Sequence, residues 1–157
     1  MAVAAIFICF AGVVLVGAPY LPTLNPQVKA ALDLVDLKPG QTLLELGCGD
    51  GKVLLAAAER DLRVIGYELN PLLALIAWLR TRQHRQDIKI IWGDFWHQTW
   101  PPAEGIFVFL VARYMTKLDQ KIEKYPYKPV KLVSFAFKIP GRRPSASQKG
   151  IFLYKYH

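Results

Sequence analysis

Three acidic residues each stand where an apolar run ends, and a glycine cluster follows the first of them. Glu45 lies in Leu43-Leu44-Glu45-Leu46, which runs into Gly47-Cys48-Gly49-Asp50-Gly51. Glu68 closes Arg63-Val64-Ile65-Gly66-Tyr67, and Asp94 follows Ile88-Lys89-Ile90-Ile91-Trp92-Gly93. Glycines are wanted where the backbone must turn with positive φ and let a ligand approach where a Cβ would collide. A carboxylate at the tip of a second strand is placed to accept both hydroxyls of a ribose, because ligands of doubly wound sheets sit beyond the carboxyl ends of the strands. Asp94 with Phe95 can hold a purine, the carboxylate or backbone at its exocyclic amine and the ring over its face. The pattern therefore points to a nucleotide-type cofactor. The spacing is G-x-G-x-G, not the G-x-G-x-x-G of the dinucleotide fingerprint, which disfavours a nicotinamide-dependent oxidoreductase.

The surrounding elements fit an α/β domain. Asn25-Pro26 reads as a helix cap followed by Val28, Ala31, Leu32 and Val35 at helical spacing, and Lys38-Pro39-Gly40 stops that helix. Asp50 is expected to cap a short helix over residues 52–60, with Val53, Leu54, Ala57 and Ala58 on one face. Asn70-Pro71 repeats the cap signature ahead of an apolar helix over residues 72–82, where Arg80, Arg82 and Arg85 suit a helix C-terminus. A fourth strand is expected at residues 105–110, a basic amphipathic helix at 115–124 and a fifth strand at 130–137. Strands alternating with helices imply a doubly wound, mostly parallel sheet with right-handed crossovers. Residues 140–150 read as a polar turn without a helix, so the last strand, residues 151–156, is expected to pair antiparallel with the fifth.

The chain has 157 residues, enough for one modest domain. Residues 1–18 carry no charge, and the first lysine is Lys29. About 18 apolar residues reach the lower limit for a membrane-spanning helix. An N-terminal hydrophobic anchor helix is expected there, with residues 19–157 as the catalytic domain. The basic residues lie downstream of the segment, which puts that domain on the cytoplasmic side. Cys9 and Cys48 fall in the apolar segment and the glycine loop, so no disulfide is implied, and Cys48 reads as a small loop filler rather than a nucleophile. His84, His97 and His157 share no ligand spacing, and no metal is expected.

The motifs Glu45-Leu46-Gly47-Cys48-Gly49-Asp50-Gly51-Lys52-Val53, Gly66-Tyr67-Glu68-Leu69-Asn70-Pro71 and Gly93-Asp94-Phe95-Trp96 resemble those of class I, S-adenosylmethionine-dependent methyltransferases. Within that Rossmann-like class they resemble the membrane-anchored protein-lysine methyltransferases known from mitochondria and their prokaryotic relatives. Tyr20-Leu21-Pro22 and Asp94-Phe95-Trp96 match that family's Tyr-x-Pro and Asp-x-Trp elements. The likeness is strongest over residues 43–71 and weak after Val111. It implies S-adenosylmethionine as cofactor, with Glu45, Gly47, Gly49 and Gly51 around its methionine part, Glu68 on the ribose, and Asp94 and Phe95 at the adenine. Asp50 and Asn70 complete the expected binding set. Asp94, Trp96 and Tyr20 are the expected catalytic or substrate-channel residues, with Tyr114 also a channel candidate. The implied partner is a protein lysine side chain, on a protein in or at the membrane.

Other readings remain open from the residues alone. Trp92, Trp96 and Trp100 recur every fourth residue and can equally cover the sheet edge. From Arg113 onward there are eleven Lys and Arg against two Asp and Glu, while nine face ten before it. That cationic third suits lipid headgroups, an acidic protein or RNA, or is simply a solvated face. A nucleic-acid amine methyltransferase would carry an Asn/Asp-Pro-Pro-aromatic element after the fourth strand, and Leu110-Val111-Ala112-Arg113 lacks it, so a nucleic-acid substrate is disfavoured. A non-catalytic S-adenosylmethionine-binding scaffold, or a methyltransferase acting on RNA or a small molecule, is the alternative.

Overall fold

A computed structural model describes residues 25–157. Strands β1 (Thr42–Leu46), β2 (Arg63–Glu68), β3 (Ile88–Trp92), β4 (Gly105–Val108), β5 (Val130–Phe135), β6 (Ala146–Gln148) and β7 (Ile151–Tyr156) form one sheet in the order β3-β2-β1-β4-β5-β7-β6. The first five pair in parallel, and β7 runs antiparallel to both β5 and β6. The order reverses between β1 and β4, the switch point at which doubly wound sheets bind ligands. The register aligns Leu46 with Tyr67 and Val108, and Glu68 with Trp92, so the glycine loop and the segments after β2, β3 and β4 emerge along one edge.

Helices α1 (Asn25–Val35) and α2 (Lys52–Ala58) cover one face of the sheet, where Val28, Ala31, Leu32 and Val35 meet Val53, Leu54, Ala57, Val64 and Val133. Helix α3 (Pro71–Arg80) packs against β2 and the edge strand β3 through Leu73, Ala74 and Ala77. Helix α4 (Met115–Glu123) buries Met115, Leu118 and Ile122 among Leu44, Leu46, Ile106, Val108 and Leu132 on the other face. These periodicities follow the sequence. So does the cap of α3, where Asn70 Oδ1 accepts from the N–H of Leu72 at 2.9 Å and of Leu73 at 3.4 Å, with Pro71 in the first turn. A long-range contact supplies what α1 lacks: Lys131 on β5 donates to the carbonyls of Val35 and Asp36, a cation at a helix C-terminus with no basic residue of its own.

Several expectations need correction. Asp50 does not cap α2: Gly51 holds that position with φ 79°, the Asp50 oxygen is 3.4 Å from the Lys52 N–H, and its carboxylate pairs instead with Arg80. Arg80 is therefore more than a favourable charge at the end of α3. Residues 140–150 are not merely a turn, since Ala146–Gln148 form β6 against β7. The tryptophans do not share one role: Trp92 is exposed on the edge strand, Trp96 is half-buried, and Trp100 is in the core. The hydrophobic helix at residues 1–18, and Tyr20, lie outside the described residues. Among the described residues no helix is long and apolar enough to cross a membrane.

Candidate functional site

The glycine loop is shaped by the strand beside it. The N–H groups of Gly47 and Cys48 both donate to the Tyr67 carbonyl, at 2.9 and 2.8 Å, and that of Gly51 returns to the Cys48 carbonyl. This bends the chain back over the end of β2. The loop glycines at 47, 49 and 51 all have positive φ, and two of them show why glycine is required. A Cβ on Gly47 would point into open space, whereas one on Gly51 would lie 3.0 Å from the Ala77 Cβ. Gly47 keeps room for a ligand, and Gly51 lets α3 close against the loop. Cys48 is buried below it, its thiol pushed well up by burial and by the carboxylates of Glu45 and Glu68, which fits a filler and not a nucleophile.

Glu68 ties the loop to the next element. One of its carboxylate oxygens accepts from the Gly49 N–H at 2.7 Å and the other from the Asn70 N–H at 2.8 Å. Burial raises its pKa, and the backbone N–H groups of Asn70, Gly49 and Leu69 oppose that rise. These donors leave part of the carboxylate's acceptor capacity for a hydroxyl. Asn70 itself is buried and occupied as the cap of α3, and Asp50 with Arg80 fastens the loop to the far end of the same helix. Both act on the loop's supports.

Glu45 is the least satisfied member. It is buried on β1 between Gly66 and Phe107, and one carboxylate oxygen has no hydrogen-bond partner. Burial first, then repulsion from Glu68 and Asp50, pushes its pKa well above the ordinary value. A buried carboxyl without a partner is costly, and a neighbouring cation or donor would relieve it. The site therefore has acidic groups with unmet acceptor capacity beside a glycine with free space, and this suits a ligand bearing ammonium or sulfonium charge and ribose hydroxyls.

Beyond β3 the chain folds into a compact loop. Asp94 Oδ1 accepts from the Trp96 N–H at 2.9 Å, and Oδ2 meets His97 Nδ1 at 2.8 Å. Phe95 packs on Trp96 with ring centroids 4.7 Å apart, and Trp100 Nε1 donates to the Phe95 carbonyl. Trp96 also faces Tyr114 at 5.9 Å, and Lys117 sits 4.4 Å from its ring centre. Lys121 escaped the sequence reading. Its ammonium donates to the Trp96 and Gln98 carbonyls, and burial with the nearby Lys117 charge lowers its pKa. Only the helical spacing of Lys117 and Lys121 on one face of α4 hinted that both could meet this loop. The structure thus brings Asp94, Phe95, Trp96 and Tyr114 into one aromatic, cation-flanked cluster, while Glu45, Glu68 and the glycines form an acidic group at the ends of β1 and β2.

This geometry has counterparts. Residues 45–146 match the ANTKMT methyltransferase domain. The chain belongs to that family. The chain is 30% identical over 131 residues to an adenine nucleotide translocase lysine N-methyltransferase from Mus musculus, covering 82% of this chain and 57% of the relative. A lysine N-methyltransferase from Homo sapiens, named for a component of ATP synthase, is 27% identical over 130 residues, covering 80% and 54%. A protein-lysine N-methyltransferase from Saccharolobus islandicus is 28% identical over 131 residues, with coverage of 80% and 81%. The chain therefore spans little more than half the length of the human and mouse relatives. Among solved structures, an RNA methyltransferase from Salinibacter ruber in complex with S-adenosyl-L-homocysteine has the same fold, with a TM-score of 0.78, 23% identity, and coverage of 87% of this chain and 92% of that one.

Proposed function

We propose that the chain methylates lysine side chains of a membrane-associated protein. The observation that carries the cofactor half of this reading is the unpartnered carboxyl oxygen of Glu45 beneath the glycine loop. The lysine half is supported by the names of the three relatives, and the membrane half by the uncharged run at residues 1–18, proposed as an anchor to a catalytic domain of residues 19–157 on the cytoplasmic side. When bound, the cofactor supplies an electrophilic methyl group on a sulfonium centre.

In this reading Glu45, Gly47, Gly49 and Gly51 hold the methionine part, Glu68 accepts from the ribose, and Asp94 with Phe95 holds the adenine. Asp50 and Asn70 keep the loop and the start of α3 in place. Trp96 with Tyr114 lines the approach for the amine, and Tyr20 is assigned a substrate role from its Tyr-x-Pro match alone. A lysine ammonium ordinarily loses its proton near pH 10.4, and it must do so before it can attack. An aromatic lining desolvates it, and the cations of Lys117 and Lys121 disfavour a second positive charge, so both lower that pKa. What remains is to align the amine and exclude water, and orientation of this kind supplies much of the rate.

The experiment is incubation of the full chain with methyl-labelled S-adenosylmethionine and a membrane-protein fraction, followed by peptide mass spectrometry. Label on lysine amines, lost with Trp96→Ala, is expected. Label on RNA or on a small molecule, with lysines untouched, would overturn the substrate assignment. Cofactor binding with no transfer to any acceptor fraction would favour the scaffold reading.

A further inference from the structure

Helix α3 is apolar all round, yet only one side of it is covered. Leu73, Ala74, Ala77 and the adjoining Thr81 face the sheet and loop, whereas Leu72, Leu75, Ile76, Trp78 and Leu79 are exposed, Leu75 by 52% and Trp78 by 46%. Trp92 of the edge strand extends this surface at 68% exposure, its indole N–H donating to the Leu69 carbonyl just ahead of the helix. Six large apolar side chains in one patch exceed the scattered exposure normal for a soluble surface.

Charge decides what this surface suits. From Leu69 to Gly93 the chain carries Arg80, Arg82, Arg85 and Lys89 against Asp87 alone. Arg80 is taken by Asp50, and the Arg85 guanidinium lies 4.3 Å from the Trp78 ring centre, so a cation borders the apolar face directly. A contact between two copies of this face would bury the leucines but give the arginines no anions. An anionic lipid surface meets both needs: acyl chains for the leucines, the headgroup zone for the amphipathic indoles, and phosphates for Arg82 and Arg85.

We propose that α3, with Trp92 beside it, is an interfacial docking surface for anionic bilayers. It stands apart from the substrate assignment and does not depend on it. Because α3 is fastened to the glycine loop through Asn70, Ala77 and Arg80, docking would set the cofactor edge of the sheet close to the lipid plane.

The test measures tryptophan emission of the full chain with vesicles of brominated phosphatidylcholine, alone or mixed with brominated phosphatidylglycerol. Contact quenching in the mixed vesicles is expected, falling severalfold in a Trp78→Phe/Trp92→Phe variant. Leu75→Glu/Leu79→Glu should reduce that contact on the order of tenfold or more per leucine, while calorimetric binding of S-adenosylhomocysteine stays unchanged. Arg82→Gln/Arg85→Gln should remove the preference for the anionic lipid. Absence of quenching, whether or not the chain sediments with vesicles, overturns the proposal, since Trp78 would then be shielded by residues 1–24 or remain in water. A dimer by light scattering that Leu75→Glu/Leu79→Glu dissociates would also overturn it, assigning the face to a second copy.

Discussion

Two glycines in the same loop should fail in opposite ways when given a methyl group. Gly47 and Gly51 have φ of 86° and 79°, so alanine at either costs about 1–2 kcal/mol for left-handed backbone, partly offset by about 0.5–1 kcal/mol from a less flexible unfolded chain. At Gly47 the new Cβ meets nothing within 4 Å. At Gly51 it meets the Ala77 Cβ at 3.0 Å, the Ala77 Cα at 3.1 Å and the Thr81 Cγ2 at 3.4 Å. The Ala77 backbone belongs to a packed helix and cannot retreat like the end of a side chain, so overpacking adds about 1–3 kcal/mol. Gly51→Ala should therefore melt lower than Gly47→Ala by roughly 3–10 °C. Binding should show the reverse order. The space beside Gly47 is where the cofactor is proposed to lie, so Gly47→Ala should lose most affinity for S-adenosylhomocysteine although it is the more stable variant. Differential scanning fluorimetry and calorimetric titration of both variants decide it. Equal melting temperatures would refute the packing argument, and full affinity in Gly47→Ala would refute the placement of the ligand.

The acidic group makes a prediction about protons. Because the folded pKa of Glu45 is raised, its contribution to stability is fully present below the ordinary carboxylate value of 4.5 and is lost as pH rises through the folded pKa. A cationic ligand pulls that pKa back down, so S-adenosylmethionine should bind with proton release and more tightly as pH rises above the ordinary carboxylate range, S-adenosylhomocysteine with less release, and the Glu45→Gln variant with none from this group. Titrations in buffers of different ionisation enthalpy count the protons, and net uptake would contradict this. Asn70→Ala removes the cap of α3 and should cost about 1 kcal/mol, seen as a drop in melting temperature. Arg80→Gln breaks the partly exposed pair with Asp50; stability should fall by less than about 1 kcal/mol, while cofactor affinity weakens severalfold in low salt and less in high salt.

Local chemistry was legible in the sequence, and contacts between distant segments were not. The β1 run, the glycine spacing and Asn70-Pro71 declare themselves because strand, turn and cap preferences act over a few residues. Asp50 looked like a cap for the same reason, but Gly51 takes the cap position, and the Asp50 carboxylate makes only a long contact with the Lys52 N–H while its other oxygen pairs with Arg80, thirty residues on. Strand β6 went unseen because Ala146, Ser147 and Gln148 are exposed and lack alternation; pairing with β7 makes them a strand. The four-residue spacing of the tryptophans left open that all three cover the sheet edge. Residues 94–98 form a loop there, held by Lys121 from α4, so the period carries no face.

The edge formed by Glu45, the glycine loop and Glu68 is proposed to hold S-adenosylmethionine. Calorimetric titration of the full chain with S-adenosylhomocysteine and with a nicotinamide dinucleotide, in parallel with Glu68→Gln, tests it most directly. One-to-one binding of the first, weakened on the order of tenfold or more in the variant through loss of a charged acceptor, with no binding of the second, is the predicted result. Binding of the dinucleotide, or S-adenosylhomocysteine affinity indifferent to Glu68, would contradict it.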